Sequence, residues 1–256
     1  MIATRLAWRI VERNALAYRR YWWIFVATFA EPVLYLFSIG VGVGELVGDL
    51  EGPGGRVMSY EAFVAPGMMA AAAMNGAVLD TTFNFFARFK YQGAYTTMLA
   101  TPIAVNDIAW GEVVWGLLRG TVNATVFLVT MAALGLTTSP WAVLMIPTAL
   151  LIGLGFGGVG LGATTYMRSF LDFDFVNLAT IPLFLFSATF FPLSRYPDGL
   201  EAVIRFTPLY QGVVLMRSLA VGEVGWGLLW HAAYLVAMGL AGVAVASRRL
   251  RPRLQP

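Results

Sequence analysis

From Gly120 to Met167 the chain runs 48 residues without an Asp, Glu, Lys or Arg. One helix needs only ~20 apolar residues to cross a bilayer core, so this run is too long for one crossing and too apolar for a wetted surface. Thr137-Thr138-Ser139-Pro140 interrupts it, a polar turn ended by a residue that breaks helices. The run therefore divides into the outer part of one span, a tight turn and a second span. Its continuous apolarity also excludes a membrane barrel, whose strands alternate apolar and polar positions. Composition agrees: 59% of the 256 residues are hydrophobic and 12% charged, about half the charged share of a soluble domain.

The same criterion, applied along the chain, predicts an all-α integral membrane protein forming one transmembrane domain over 1–256. Six transmembrane helices are expected at about 22–44, 62–79, 105–136, 141–167, 175–194 and 224–247. Lys and Arg in the connections set its orientation. Twelve cations fall on one side: Arg5, Arg9, Arg13, Arg19 and Arg20 in the head, Arg88, Lys90 and Arg168 between spans, and four Arg in the tail. The other side carries four, Arg56, Arg195, Arg205 and Arg217. Both termini are thus expected in the cytoplasm.

The head is not expected to be a cleaved signal, because its apolar run continues past Pro32 to Gly44 without an Ala-x-Ala site. Residues 1–21 read as an amphipathic interface helix. At 100° per residue Leu6, Ala7, Trp8, Ile10, Val11, Ala15, Ala17 and Tyr18 share a face opposite Arg5, Arg9, Glu12, Arg13, Arg19 and Arg20, with Ile2 and Leu16 as exceptions. Such a helix lies flat in the inner leaflet interface. Two connections are long: Asp80–Ala104, cytoplasmic, and Arg195–Glu223, external. The external one divides at Pro208 into two pieces too short and charged to cross, an external helical hairpin before the last span.

Most chemistries are excluded. Cysteine is absent and histidine occurs once, at His231, so thiolate and multi-histidine metal sites are ruled out. The only lysine, Lys90, follows Phe89, whereas a P-loop needs Gly before Lys. Gly153-Leu154-Gly155-Phe156-Gly157-Gly158 matches a dinucleotide fingerprint in letters but sits inside a span. Its glycines, in the pairs Gly153/Gly157 and Gly158/Gly162, suit close helix approach instead. Asn123-Ala124-Thr125 matches a glycosylation sequon inside a span and carries no meaning there. No catalytic, cofactor or metal residues are expected, and the basic isoelectric point reflects Arg at the chain ends rather than a nucleic-acid surface.

Charges within spans remain as candidates, since hydrocarbon tolerates them only when paired or hydrated. These are Glu31, before Pro32 in the first span, and Glu112 and Arg119, seven residues apart on one face of the third. Two readings stand: an ion pair that fixes packing, or polar points on a translocation path. In the cytoplasmic connection Tyr91, Tyr95, Met98 and Leu99 recur at three- and four-residue steps. Arg88 and Lys90 precede them and Pro102 follows, so a short helix with one apolar face is expected there, docking in a partner's groove or lying on the lipid surface.

Five motifs in this order resemble a known family. They are Glu31-Pro32-Val33-Leu34-Tyr35-Leu36 after the amphipathic head, Tyr60 to Met69 opening span two, Met98-Leu99-Ala100-Thr101-Pro102, Asp107-Ile108 with Gly111-Glu112, and Phe184 to Leu193 closing span five. The chain resembles the membrane subunits of type-2 ABC transporters, nearest the branch of nodulation-factor (lipo-oligosaccharide) and daunorubicin-type drug exporters. The resemblance implies a multi-pass protein of the bacterial plasma membrane that exports a lipid-linked, amphipathic or hydrophobic drug-like substrate. It also implies a separate cytoplasmic ATPase that binds the ATP and Mg, and a second permease, either another copy or a homologue, meeting through spans one and five. The segment from Arg88 to Pro102 would then be the coupling element. The alternative is a stand-alone ion-coupled transporter or channel; an intramembrane enzyme would need a clustered catalytic set, and none is visible.

Overall fold

The computed structural model describes residues 5–19, 34, 36–38, 42–44, 46–91 and 94–254. Glu31 and most of the 22–44 span lie outside the described residues, as do Gln92, Gly93 and the side chain of Tyr91. The helices are α1 (Arg5–Arg19), α2 (Tyr60–Leu79), α3 (Ala94–Leu99), α4 (Val105–Ala133), α5 (Met145–Thr164), α6 (Phe173–Leu185), α7 (Asp198–Phe206), α8 (Pro208–Val221) and α9 (Leu228–Leu254). Among the described residues four helices are long and apolar enough to cross a membrane: Tyr60–Lys90, Val105–Ala133, Pro140–Thr164 and Leu228–Leu250.

Local signals start and stop these elements. Ser59 caps α2, its hydroxyl accepting from the Ala62 N–H, and Glu61 adds negative charge to the first turn. Ser139 accepts from Trp141 N–H and Pro140 follows, so the polar turn inside the long apolar run launches the next span through a short 3-10 segment. Gly222, at φ 84°, closes α8 in the left-handed conformation that a helix end favours.

The structure departs from the sequence reading in four places. The helix beginning at Tyr60 does not stop at Leu79: it continues through two wide turns, Asp80–Asn84 and Ala87–Tyr91. Asp80 looked like a terminator because it is charged, but it is buried, and Thr81 and Thr82 donate back to Ala77 O and Val78 O. Wide turns of this kind recur at functional sites. Residues 175–194 are not one continuous helix either. α6 ends at Leu185, and Arg217 of α8 captures the carbonyls of Ala188 and Thr189 in the following turn. Ala188 holds a positive φ of 55° there. The last helix begins at Leu228 rather than 224. Finally, Leu50–Glu51 and Val57–Met58 form a two-residue antiparallel pair absent from an all-α expectation.

Two apolar clusters hold the bundle. One joins α2, α4, α5 and α8 through Phe63, Met69, Met131, Met145, Ile152 and Met216. The other, toward the Arg88 end, joins Ile10, Phe85, Tyr95, Ile108, Leu161 and Leu250. α5 and α9 touch backbone to backbone. A Cβ on Gly158 would strike the Gly239 carbonyl, and one on Gly242 would strike Gly158. The pair Gly158/Gly162 therefore serves close helix approach, whereas Gly153 and Gly157 face Leu117 and Thr81.

Candidate functional site

α1 lies against α4 because Gly111 leaves room: a Cβ there would come within 2.7 Å of Ile10 Cβ and 2.9 Å of Ala7 O. Ala7, Ile10, Val11 and Asn14 form its buried face, while Leu6, Trp8 and Leu16 stay exposed. The polar residue on that apolar face, Asn14, meets the buried carboxylate of Glu112.

Glu112 is the meeting point of three elements besides its own. Its Oε1 accepts from the Tyr95 hydroxyl of α3 at 2.9 Å and lies 3.4 Å from Arg13 NH2 of α1. Its Oε2 lies 3.0 Å from Arg88 NH1 and accepts from Asn14 Nδ2 at 3.2 Å. Asn14 Oδ1 in turn accepts from both guanidiniums, Arg13 at 2.8 Å and Arg88 at 2.9 Å. Burial, reinforced by the Glu112 carboxylate, pushes the Tyr95 phenol well above its ordinary value, so it stays a donor at physiological pH.

A second hub adjoins the first. Arg119 NH2 pairs with Asp80 Oδ1 at 2.6 Å, and Asn84 Nδ2 donates to the same oxygen at 2.8 Å. Arg119 NH1 donates to the Tyr18 hydroxyl at 3.0 Å, and the Tyr18 ring rests on Trp115. Arg88 Nε donates to Asn84 O at 3.1 Å and so links the hubs.

Arg119 and Glu112, read together from their seven-residue spacing, thus take different partners: Asp80 for one, Arg88 and Arg13 for the other. The sequence reading missed Asp80 and Asn14. In the sequence Asp80 reads as part of a connection, and Asn14 shares a helix face with apolar residues, the one signal that marks it.

The candidate coupling segment is also placed differently from the expectation. The apolar face of α3 is covered by this chain rather than left for a partner: Tyr95 is fully buried, and Met98 and Leu99 pack partly buried on the Arg88-end cluster. Arg13 NH1 also lies 3.6 Å from the Met98 sulfur. Thr97, Thr101, Pro102 and Lys90 are exposed, so they form the outward surface of the segment.

Beside Asp80 and Arg119 opens a cavity of 580 Å³ between α2, α4 and α5, with Phe184 of α6 on its wall. At the other end of the bundle Arg217 is buried with no carboxylate partner among the described residues. Its Nε donates to Phe63 O at 3.1 Å, its NH2 to Ala188 O at 2.8 Å, and the guanidinium lies over the Phe63 ring. Burial pulls it down to about 9, still above neutrality, so it remains charged.

Comparison with known proteins agrees with this architecture. A family model described as ABC-2 type transporter matches residues 5–221. Nodulation protein J of Rhizobium leguminosarum bv. viciae is 31% identical over 254 residues, spanning 96% of this chain and 95% of that protein. Nodulation protein J of Rhizobium meliloti (strain 1021) is 29% identical over 251 residues, spanning 97% and 93%. With apolar crossings in the structure and these matches over nearly the whole length, the chain belongs to the ABC-2 type transporter family, as a membrane permease.

Proposed function

We propose that this chain, as one transmembrane unit over residues 1–256, is the membrane subunit of an ATP-driven exporter. It moves a lipid-linked or amphipathic substrate out across the bacterial plasma membrane. A separate cytoplasmic ATPase binds and hydrolyses MgATP and docks on the exposed Thr97–Pro102 surface, with Lys90 beside it. The observation that carries this reading is the bond from Tyr95 to Glu112, which connects a cytoplasmic segment to a buried carboxylate that also holds α1 and α2. A push on α3 then reaches α1, the wide-turn end of α2 and α4 together, because all are tied to one carboxylate by charge-assisted bonds, which are stronger than neutral ones.

In this reading the chain crosses six times, with both termini inside and α7–α8 as an external hairpin. The 170–185 stretch of helix rises roughly 24 Å, and the turn at 186–191 completes the fifth crossing. Support for a second permease subunit comes from α6, whose Phe175, Leu178, Ile181 and Leu185 are exposed on one side. The first span, including Glu31, would contribute to the same seam and to the translocation path.

Tyr95→Phe tests the coupling. It removes one hydroxyl from a segment whose packing is otherwise kept. In proteoliposomes holding permease and ATPase, hydrolysis should persist while export per ATP falls severalfold. Export that proceeds with no ATPase present would overturn the proposal in favour of a stand-alone transporter.

A further inference from the structure

At the ends of α5 and α9 stand arginines without acidic partners. The two helices run side by side in the same direction. A Cβ on Gly242 would strike Gly158 and the Val159 nitrogen, and two turns later the Arg249 guanidinium lies 3.7 Å from the centre of the Tyr166 ring. The apolar crossing segments end at Thr164 and Leu250, so Tyr166, Arg168, Arg248 and Arg249 stand at the level of lipid headgroups. All four are exposed. Asp172 and Asp174 follow Arg168 in the chain, yet among the described residues neither forms an ion pair with any of these cations. The Asp172 carboxylate is instead occupied by the Arg168 and Ser169 N–H groups.

Stacking on Tyr166 prepares Arg249 for a phosphate. A guanidinium lying over an aromatic ring keeps its N–H donors at its edge, and that fork matches two oxygens of one phosphate. Two uncovered rows lead to this end. On α5 Val159, Ala163 and Tyr166 are exposed at steps of four and three residues; on α9 Ala241, Val245 and Arg248 are exposed at the same steps. At 100° per residue both rows fall on the same side of the glycine seam, and the Arg249–Tyr166 contact closes them at the headgroup level. From Gly242 to Arg249 the helix rises about 10.5 Å, enough to lay the upper part of an acyl chain along it.

We infer that this seam holds an anionic phospholipid. Arg249 forks its phosphate, Arg248 and Arg168 stand beside the head, and an acyl chain lies along Val159, Ala163 and Val245. Arginines at a headgroup surface attract anionic lipids; a zwitterionic lipid offers the same phosphate, but its ammonium opposes the remaining cations. The lipid is a resident of the outer face of the bundle, where it ties α9 to α5 beyond their last glycine contact. It is not the cargo, and the inference holds whether or not the chain is an exporter.

The test uses the full-length permease, with any subunit that purifies alongside it, in phosphatidylcholine nanodiscs. The probe is phosphatidylglycerol carrying a diazirine in its acyl chain, and phosphatidylcholine with the same diazirine is the comparator. Labelled peptides are mapped by mass spectrometry. Phosphatidylglycerol should label the 159–166 and 241–249 stretches at least about fivefold more than phosphatidylcholine, the preference that one arginine at a membrane surface supplies. R248Q/R249Q should bring the two probes level. Y166L keeps every charge and should lower the preference by releasing Arg249, which decides the matter should the double variant fail to fold. R9Q, at an exposed arginine of α1, should leave the preference unchanged. Equal labelling by the two lipids, or a preference indifferent to both R248Q/R249Q and Y166L, overturns the site. Loss of the preference on adding inorganic phosphate also overturns it, since the arginines would then take the free anion without the chain. A double variant that keeps its lipid labelling but sheds an accompanying subunit assigns the arginines to a protein partner and overturns the lipid site.

Discussion

At the scale of single residues, Glu112 decides whether the Arg88 end of the bundle holds together. It is buried and faces two guanidiniums, so losing its charge leaves Arg88 and Arg13 without compensation. Removing one partner of a buried pair costs about 3–5 kcal/mol, whereas replacing both with apolar residues is far milder. Glu112→Met and Arg88→Met should each lower the melting temperature in nanodiscs, and the double variant should recover part of the loss. Strictly additive effects would mean that Glu112 and Arg88 do not act as a pair. Arg217 poses the opposite case, a buried cation held, among the described residues, by carbonyls and an aromatic face. It ties the start of α2 to the turn after α6.

At the scale of elements, two contacts set how helices meet. Gly158→Leu places a side chain where the Gly239 backbone already lies. Overpacking of this kind costs typically 1–3 kcal/mol, and here the obstacle is backbone, which cannot rotate away. The matched variant Gly120→Leu meets open space and should leave melting nearly unchanged. A comparable loss in both would show that the cost does not come from the α5–α9 seam, and no loss in Gly158→Leu would show that the seam tolerates separation. The connection from α5 to α6 depends on charge instead. Asp172 accepts from the Arg168 and Ser169 N–H groups, and these bonds hold its carboxyl below the ordinary 3.8. A folded pKa below the unfolded one means the tie is complete above the ordinary value and is lost as pH falls through the depressed one. Hydrogen exchange at Ser169 should therefore stay protected down past pH 3.8, and Asp172→Ala should remove that protection at every pH.

At the scale of the whole molecule, orientation follows from charge. The sequence has no cysteine, so introduced ones report without background. Asp198→Cys, exposed at the start of α7, should react with an impermeant maleimide in intact cells. Lys90→Cys should react only after permeabilisation. The reverse pattern would invert the topology and remove the ATPase from the Thr97–Pro102 surface.

Much of this was legible in the residues. Hydrocarbon punishes unpaired polar groups so heavily that length and apolarity alone marked four crossing helices, at about 62–79, 105–136, 141–167 and 224–247, though not their exact ends. Ser139-Pro140 and Pro208 marked where chains turn, because a missing N–H and a fixed φ act locally. The glycine spacing pointed to a close seam without naming α9 as its partner. What only the tertiary structure decided was the fate of each charge. Asp80 reads as a helix end in the sequence and is a buried partner in the fold; Arg119 pairs with Asp80, and Glu112 with Arg88 and Arg13. Whether a charge ends a helix or enters it depends on which opposite charge the fold brings within 3–4 Å, and that neighbour lies dozens of residues away, beyond the reach of any periodicity.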